Sequence, residues 1–338
     1  MTVGSGIFSR QQARLSHLVR GGGLAGEVKD LREDINEELR PLAAIVVEEF
    51  VNPVGTAAPG TAVLLAATAT VEDEVTLTTG DLLAAGLEML AAWPRQITFT
   101  TAGNTPADAP ATATITGLDQ YGTAQTETLN LAQTAATVTS AKYWSAITSI
   151  EYPAADGTDA TVAIGIAAAV LKAATATVTN PVVLGPNDLI QNDLARHPRA
   201  LVFTTAGATP ADAPATATVK GKDVNGNAIS ETLALAQTGT TATTENFFAQ
   251  IDSIEYPAGD GTGATIAITP SAAIGLSRKL RSRAGRAAVL QEVAAGTVVT
   301  NGTFTLPATH KPYGSYAPNT AANDANDYCI YYEYQADA

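Results

Sequence analysis

The residues that could take part in catalysis or metal binding are few and widely spaced in this chain of 338 residues. Its single cysteine, Cys329, and its three isolated histidines do not have the spacing of a structural zinc site. The Gly-x-Ser-x-Gly sequence that presents the nucleophile of many hydrolases does not occur. The sequence therefore predicts a protein that is not an enzyme, with no catalytic residue, no metal and no cofactor.

Two kinds of acidic sequence could in principle bind a cation. Residues 72–74 are Glu-Asp-Glu, but the equivalent residues of the repeat described below, 179–181, contain no acid. Two Asp-Gly sequences, at 156–157 and 260–261, lack the alternating oxygen ligands and the closing glutamate of a calcium loop. We interpret the first group as a solvated strand edge and the Asp-Gly sequences as turns.

Positive charge is concentrated near the start of the C-terminal region. The chain has 19 Lys and Arg against 33 Asp and Glu, a formal net charge of −14, so it should repel the phosphate backbone of nucleic acid. One short run nevertheless contains five cations: Arg278, Lys279, Arg281, Arg283 and Arg286. We expect this run to contact an acidic surface on a neighbouring copy or an adjoining protein; a solvated loop is the alternative, and a nucleic-acid partner is not expected.

The N-terminal region carries an amphipathic pattern. Apolar residues recur at three- and four-residue spacing from residue 24 to residue 45, as one face of a helix requires, and Pro41 should kink or restart that helix. The first four apolar positions are Leu24, Val28, Leu31 and Ile35. We expect this helical arm to anchor the protein to a larger assembly or to its own trimer axis; packing on the first domain is the alternative. The sequence predicts neither a membrane span nor a signal peptide.

A long internal repeat organises the rest of the chain. With an offset of 104 residues, residues 95–166 align with 199–270 and share 43 identities in 72 positions. Upstream, AATATV recurs with an offset of 107, so the second copy lacks three residues between Asp188 and Arg199. Each copy has about 105 residues, an ordinary domain size, which indicates tandem duplication of a whole domain rather than a solenoid.

Short strands are the main pattern within each copy. ATATIT and TETLNLA alternate small or apolar residues with polar ones at period two, and Asn225-Gly226 is a strong hairpin signal. One exception is the helical spacing of residues 80–93, for which Asp81 is the expected N-cap. The C-terminal tail adds a hairpin signal at Asn301-Gly302 and a closing strand, DYCIYYEY.

The sequence as a whole predicts a mainly β protein. We expect tandem duplicated antiparallel β-sandwich domains, jelly-roll or Ig-like, with an N-terminal helical arm and a small C-terminal β module. The expected boundaries are an arm at 1–60, a first sandwich at 61–169, a second sandwich at 170–275 and the C-terminal module at 276–338.

Several sequence strings resemble virion structural proteins of tailed bacteriophages, of the capsid decoration, cement or head-fibre type. They are TTAGATPADAPATATV, SIEYPAGDGTGATI and RAGRAAVLQEVAAGTVVTNGTF followed by NDYCIYYEY. Such proteins are usually β-sandwich or jelly-roll modules, frequently homotrimeric, that bind the capsid lattice through a terminal segment. The resemblance therefore implies a homo-oligomer in the virion, bound to the major capsid protein or another virion protein, with a host-surface glycan as a further possible ligand.

Other functions stay open at this point. A tail, baseplate or tail-fibre component of the same virion is the first alternative to capsid decoration. A bacterial surface adhesin or S-layer module belongs to a different class and is disfavoured by the lack of a signal peptide and of a wall anchor. A glycan-degrading spike enzyme is disfavoured because the two repeats share no catalytic pair of carboxylates.

Overall fold

The fold is mainly β, built from several antiparallel sheets. The computed structural model describes residues 45–51, 58, 60–70, 73–103, 105, 108–132, 136–155, 160–176, 180–194, 197–207, 212–235, 241–259, 263–280, 288–294, 297–298, 302–305, 313–319 and 326–334. Its strands are β1 (Ile45–Val51), β2 (Gly60–Ala69), β3 (Val75–Thr78), β4 (Ile97–Ala102), β5 (Thr112–Leu118), β6 (Ala124–Asn130), β7 (Thr137–Thr139), β8 (Ala146–Tyr152), β9 (Thr161–Ile166), β10 (Lys172–Ala176), β11 (Val182–Leu184), β12 (Arg199–Ala206), β13 (Thr216–Lys222), β14 (Ala228–Ala234), β15 (Thr241–Thr243), β16 (Gln250–Tyr256), β17 (Thr265–Gly275), β18 (Ala288–Ala294), β19 (Thr297–Val298), β20 (Thr303–Thr305), β21 (Ser315–Ala317) and β22 (Asn326–Glu333). The helices are α1 (Ala84–Ala92) and a 3-10 helix (Pro186–Asp188).

Strands β2 to β9 form two four-stranded sheets, which we call unit 1. One sheet has the order β2-β9-β4-β7 and the other β3-β8-β5-β6. Buried and half-exposed residues alternate along β4 of the first sheet, so that Ile97 and Phe99 are fully buried. They join Ile115 and Ile150 of the second sheet in one apolar cluster. Unit 1 therefore has a single core between its two sheets.

Strands β10 to β17 form unit 2, in which the strands pair in the same order. The sheets are β10-β17-β12-β15 and β11-β16-β13-β14, and their inward residues again form one apolar cluster. Pairs of outward-facing hydroxyls also match. The hydroxyl oxygens of Thr114 and Thr128 lie 3.0 Å apart in unit 1, and those of Thr218 and Thr232 lie 2.8 Å apart in unit 2. The alternation of small, apolar and threonine residues thus places the same side chains inward and outward in both units.

Turn chemistry closes the hairpins as the sequence predicts. Asn225-Gly226 joins β13 to β14, and Gly226 adopts a φ of +81°, a conformation that glycine adopts readily. The backbone N–H groups of Asn225 and Asn227 both donate to Asp223 Oδ1, at 2.9 Å each. Local hydrogen bonding therefore fixes this turn, and the predicted hairpin is confirmed.

A β-bulge in each unit requires a glycine on the facing strand. The pairing of β5 with β8 shifts between Thr116 and Gly117, and that of β13 with β16 shifts between Lys220 and Gly221. A Cβ on either glycine would lie 2.1 Å from a backbone carbonyl oxygen. No rotamer change can relieve that contact, because backbone atoms form the wall.

We therefore expect Gly117→Ala and Gly221→Ala each to lower the free energy of unfolding by about 1–3 kcal/mol, the usual cost of overpacking. Gly80→Ala is the matched control, because its nearest neighbour would be Thr78 Oγ1 at 3.7 Å. Urea unfolding of the three variants measures the difference. If Gly117→Ala and Gly80→Ala unfolded at the same urea concentration, the bulge would not need its glycine.

Helix α1 lies within the predicted segment 80–93, but the predicted N-cap is wrong. Leu83 occupies the N-cap position, without a side-chain hydrogen bond to the helix. The carboxylate of Asp81 instead accepts hydrogen bonds from the N–H of Thr78 at 2.9 Å and from its hydroxyl at 2.7 Å, and these lower the pKa of Asp81. Asp81 therefore stabilises the turn before the helix.

The third part of the fold joins both ends of the described chain, and we call it the terminal module. Its sheet has the order β1-β22-β18-β19, with Ile45 opposite Glu333 and Val51 opposite Asp327. Its core contains three fully buried tyrosines and Phe50 of β1. Ile45, which the sequence analysis placed at the end of a helix, therefore begins a strand of this sheet.

The predicted hairpin at Asn301-Gly302 is wrong. Strand β19 pairs with β18 in the terminal sheet, whereas β20 pairs with β21, which extends a sheet of unit 2 through β17. The strands before and after this sequence thus belong to different sheets. A local hairpin signal is overridden here by pairing with strands distant in sequence.

Candidate interaction surfaces

The first residues of the cationic run are attached to the terminal module. Leu280 is buried, and its backbone N–H donates to the carbonyl of Tyr313 at 2.8 Å. The backbone N–H of Arg278 donates to the hydroxyl of Tyr332 at 3.1 Å, and its guanidinium carbon lies 5.9 Å from the ring centroid of Tyr334. The side chains of Arg278 and Lys279 are exposed. Hydrogen bonds at Arg278 and Leu280 thus hold the backbone at the start of the run, and its first two charged side chains face solvent.

The other predicted interaction residues cannot be placed. Arg281, Arg283 and Arg286 lie outside the residues that the structure describes. The same is true of the apolar positions of the predicted N-terminal helix, which are Leu24, Val28, Leu31 and Ile35. Their proposed roles stay predictions.

A first junction connects unit 1 to unit 2. Trp93, directly after α1, is buried within the apolar cluster of unit 2, and its indole N–H donates to the carbonyl of Val170 at 3.1 Å. The hydroxyl of Tyr121, on the turn between β5 and β6, donates to the carbonyl of Asn187 in the 3-10 helix. Two aromatic side chains of unit 1, one after the helix and one on a turn, therefore contact unit 2.

A second junction connects unit 2 to the terminal module. His197 is buried, and its ring meets that of Phe50 edge-on with centroids 5.7 Å apart. The side-chain amide of Asn225 donates to the hydroxyl of Tyr313. A cavity of about 20 Å³ lies beside this junction, and Asp223, one of its polar lining residues, already accepts hydrogen bonds within its own turn. The cavity therefore presents little polar chemistry to a ligand.

Sequence reasoning overlooked these junction residues, although a signal for them exists. Trp93 aligns with His197, and Tyr121 aligns with Asn225, within stretches that the two copies otherwise share. At these two positions a difference in sequence between the copies coincides with a difference in the neighbouring module. The sequence analysis treated His197 only as one of three isolated histidines without the spacing of a zinc site.

No acidic cluster of the described residues forms a metal site. Asp73 and Glu74 are exposed, and among the residues that the structure describes no three His, Cys, Asp or Glu side chains come together as a metal site requires. The Asp-Gly sequences at 156–157 and 260–261 have residues outside the described ranges. No helix in the described part of the chain is long and apolar enough to cross a bilayer.

One ion pair distinguishes the outer face of unit 2 from that of unit 1. Lys220 Nζ lies 2.6 Å from Glu255 Oε1 on the outer face of adjacent strands, and this hydrogen bond lowers the pKa of Glu255. Unit 1 has Thr116 and Glu151 at the equivalent positions. Because the pKa of Glu255 is lower in the folded protein, its contribution to stability is present above the unfolded pKa and is lost as the pH falls through the folded pKa.

We expect Lys220→Thr, which copies unit 1, to return the pKa of Glu255 towards its ordinary value. An NMR titration of the Glu255 side chain measures this change, and Lys222→Thr provides the control. Both groups are solvent-exposed, so the effect on stability should be small and should weaken with salt. An unchanged titration of Glu255 in Lys220→Thr would show that the ion pair does not persist in solution.

Comparisons with known proteins identify no family for this chain. No protein-family model matches it, and no curated protein matches it. The solved structures that it resembles include the PBSX exported protein XepA, with 12% identity, a TM-score of 0.21, and coverage of 63% of this chain and 86% of that one. They also include the cowpea mosaic virus top component, an empty particle, with 11% identity, a TM-score of 0.19 and coverage of 67% and 88%. At such TM-scores these likenesses carry no conclusion about fold family or function.

Proposed function

We propose that this chain is a non-enzymatic structural protein of a tailed-phage virion that decorates or stabilises the capsid as a cement or head-fibre protein. The observation that carries the proposal is that the first described strand and the start of the cationic run lie in the same terminal module. Strand β1 pairs with β22, and Arg278 and Lys279 lie exposed beside them. The start of β1 and the first two cations of the run therefore lie in one module, which suits an attachment base.

The two units suit a protein that projects from such a base. We propose that they arose by tandem duplication of one β-sandwich, because the strand order and the hydroxyl pairs match at an offset that also aligns 43 identities. Charged residues make up only 15% of the chain, which leaves few long side chains to lose conformational freedom in contacts between copies. We propose a homo-oligomer, with a trimer favoured.

The proposed partner of the base is an acidic surface on a neighbouring copy, on the major capsid protein or on another virion protein. Arginine holds carboxylates in two parallel hydrogen bonds, and such contacts between exposed charges weaken with salt. The acidic chain itself disfavours nucleic acid as the partner. The localisation that follows is the virion.

Glutamine replacement of the five cations tests this function. We expect Arg278→Gln with Lys279→Gln, Arg281→Gln, Arg283→Gln and Arg286→Gln to lower occupancy on particles, most strongly at low salt, while both units stay folded. Lys142→Gln, an exposed cation of unit 1 far from this run in sequence, is the control. Full occupancy of the five-residue variant at low and high salt would overturn the role of the run.

Labelling of the chain on intact particles tests its location. Labels on the head support capsid decoration. Labels on the tail or baseplate would overturn the capsid assignment in favour of a tail component. Labels on the bacterial surface, with none on particles, would favour the adhesin or S-layer alternative.

A further inference from the structure

We propose that the two junctions of this protein use the same leading face of the repeated unit, and that this face fits each unit to a further unit of its own kind. Unit 1 contacts unit 2 through Trp93 and Tyr121. Unit 2 contacts the terminal module through His197 and Asn225. Both pairs of positions differ by the same 104 residues that align the repeats. The leading face of each unit is therefore the same surface.

The receiving face of unit 2 can also be located in unit 1. Val170 and Asn187, whose carbonyls accept the bonds from unit 1, correspond to Val63 and Gly80 at the upstream offset of 107. The register is supported by a shared turn: Gly185 N donates to Asp188 Oδ2 at 2.8 Å, as Thr78 N does to Asp81 at 2.9 Å. The two receiving faces thus have the same framework.

Helix α1 closes the receiving face of unit 1. Gly86 of α1 approaches so closely that a Cβ there would lie 2.5 Å from the carbonyl oxygen of Val63, the equivalent of the oxygen that accepts the Trp93 indole. The corresponding segment of unit 2, which begins at residue 191 and is three residues shorter, has no helix among its described residues 191–194 and 197–198. Unit 1 therefore ends the series, as capping repeats do in repeat proteins.

The side chains at the two leading positions determine which module can follow. The indole of Trp93 fills the cluster of unit 2 and donates one hydrogen bond, whereas the smaller ring of His197 meets Phe50 of the terminal module. A histidine in place of Trp93 would leave part of the unit 2 cluster unfilled. The leading positions are therefore residues that determine the specificity of the interface.

Distance measurements in the full chain test the interface. Spin labels are attached to cysteines introduced as Thr128→Cys and Thr232→Cys, and Cys329→Ser removes the native thiol. Thr128 and Thr232 are exposed and occupy equivalent outer positions of the two units. We expect a narrow distance distribution in the parent and a distribution at least about twice as wide when Trp93→Ala and Tyr121→Phe are combined. Thr98→Ala is the control. An equally narrow distribution in the double variant would overturn the role of these positions.

Insertion of a third unit tests whether the interface can be transferred. A second copy of residues 167–270 is inserted after Pro270, with and without His197→Trp and Asn225→Tyr in the first copy. Spin labels at Thr232→Cys in both copies measure how widely the distance between the two copies is distributed. We expect a narrow distribution only with the two replacements. Broad distributions in both chains would overturn the shared interface, and narrow ones in both would overturn the specificity of the two positions.

Discussion

Replacement of Trp144 by alanine is expected to lower the free energy of unfolding by about 3–5 kcal/mol. The side chain of Trp144 is fully buried in the core of unit 1. Its backbone exchanges hydrogen bonds with Arg95 at 2.8 and 3.1 Å, so the alanine variant keeps the backbone pairing and loses only the packing. Denaturant unfolding followed by fluorescence and circular dichroism measures the loss.

A second variant at this position separates packing from hydrogen bonding. The indole N–H of Trp144 has no acceptor among the described residues, and unit 2 has the fully buried Phe248 at the equivalent position. Trp144→Phe removes the unpaired N–H, which offsets part of the lost packing, so we expect it to cost far less than Trp144→Ala. Thr148→Ala, at an exposed position, is the control and should change the free energy of unfolding by no more than about 0.5 kcal/mol. Equal losses for the alanine and phenylalanine variants would contradict this account.

Truncation after residue 325 is expected to abolish the terminal module while leaving units 1 and 2 folded. It removes β22, which pairs with both β1 and β18. It also removes Tyr328, Ile330 and Tyr332, which are at most 1% exposed in the core of that module. Strands β1 and β18 then have no common partner. The strands that remain are too few to form a stable sheet without the strand between them.

Hydrogen exchange gives this truncation its sharpest measurement. We expect the amides of residues 45–51 to lose their protection although the deletion lies at the opposite end of the chain. Amides of β4 and β12, in the cores of the two units, should keep theirs. A chain truncated after Tyr334 retains the bridge between Leu280 and Tyr334 and serves as the control. Persistent protection of residues 45–51 without β22 would show that β1 has a different partner.

The features that the sequence predicted correctly are those fixed by neighbouring residues. Period-two alternation in ATATIT places Ala113 and Ile115 inward, and the Asn225-Gly226 turn closes its hairpin with bonds to Asp223. The mainly β character follows from the same local patterns. The helix at 80–93 was also predicted, but Asp81 was not its N-cap because the nearby Thr78 holds its carboxylate.

Where local signals compete with distant strands, the sequence alone was insufficient. Ile45 continues a helical spacing, yet it lies in a sheet opposite Glu333. The hairpin signal at Asn301-Gly302 is overridden because β19 and β20 find different partners. Strand pairing depends on which edges the rest of the fold leaves available, and no short window of sequence contains that information.

The candidate interaction surfaces divide in the same way. The sequence by itself determined the repeat, its register and the cationic run at Arg278, because these are properties of residue order and charge. Only the tertiary structure decided that Arg278 and Lys279 lie on the same module as β1 and that Trp93 and His197 each contact a neighbouring module. The physical reason is that such contacts join residues far apart in the chain, whose proximity depends on how the sheets pack.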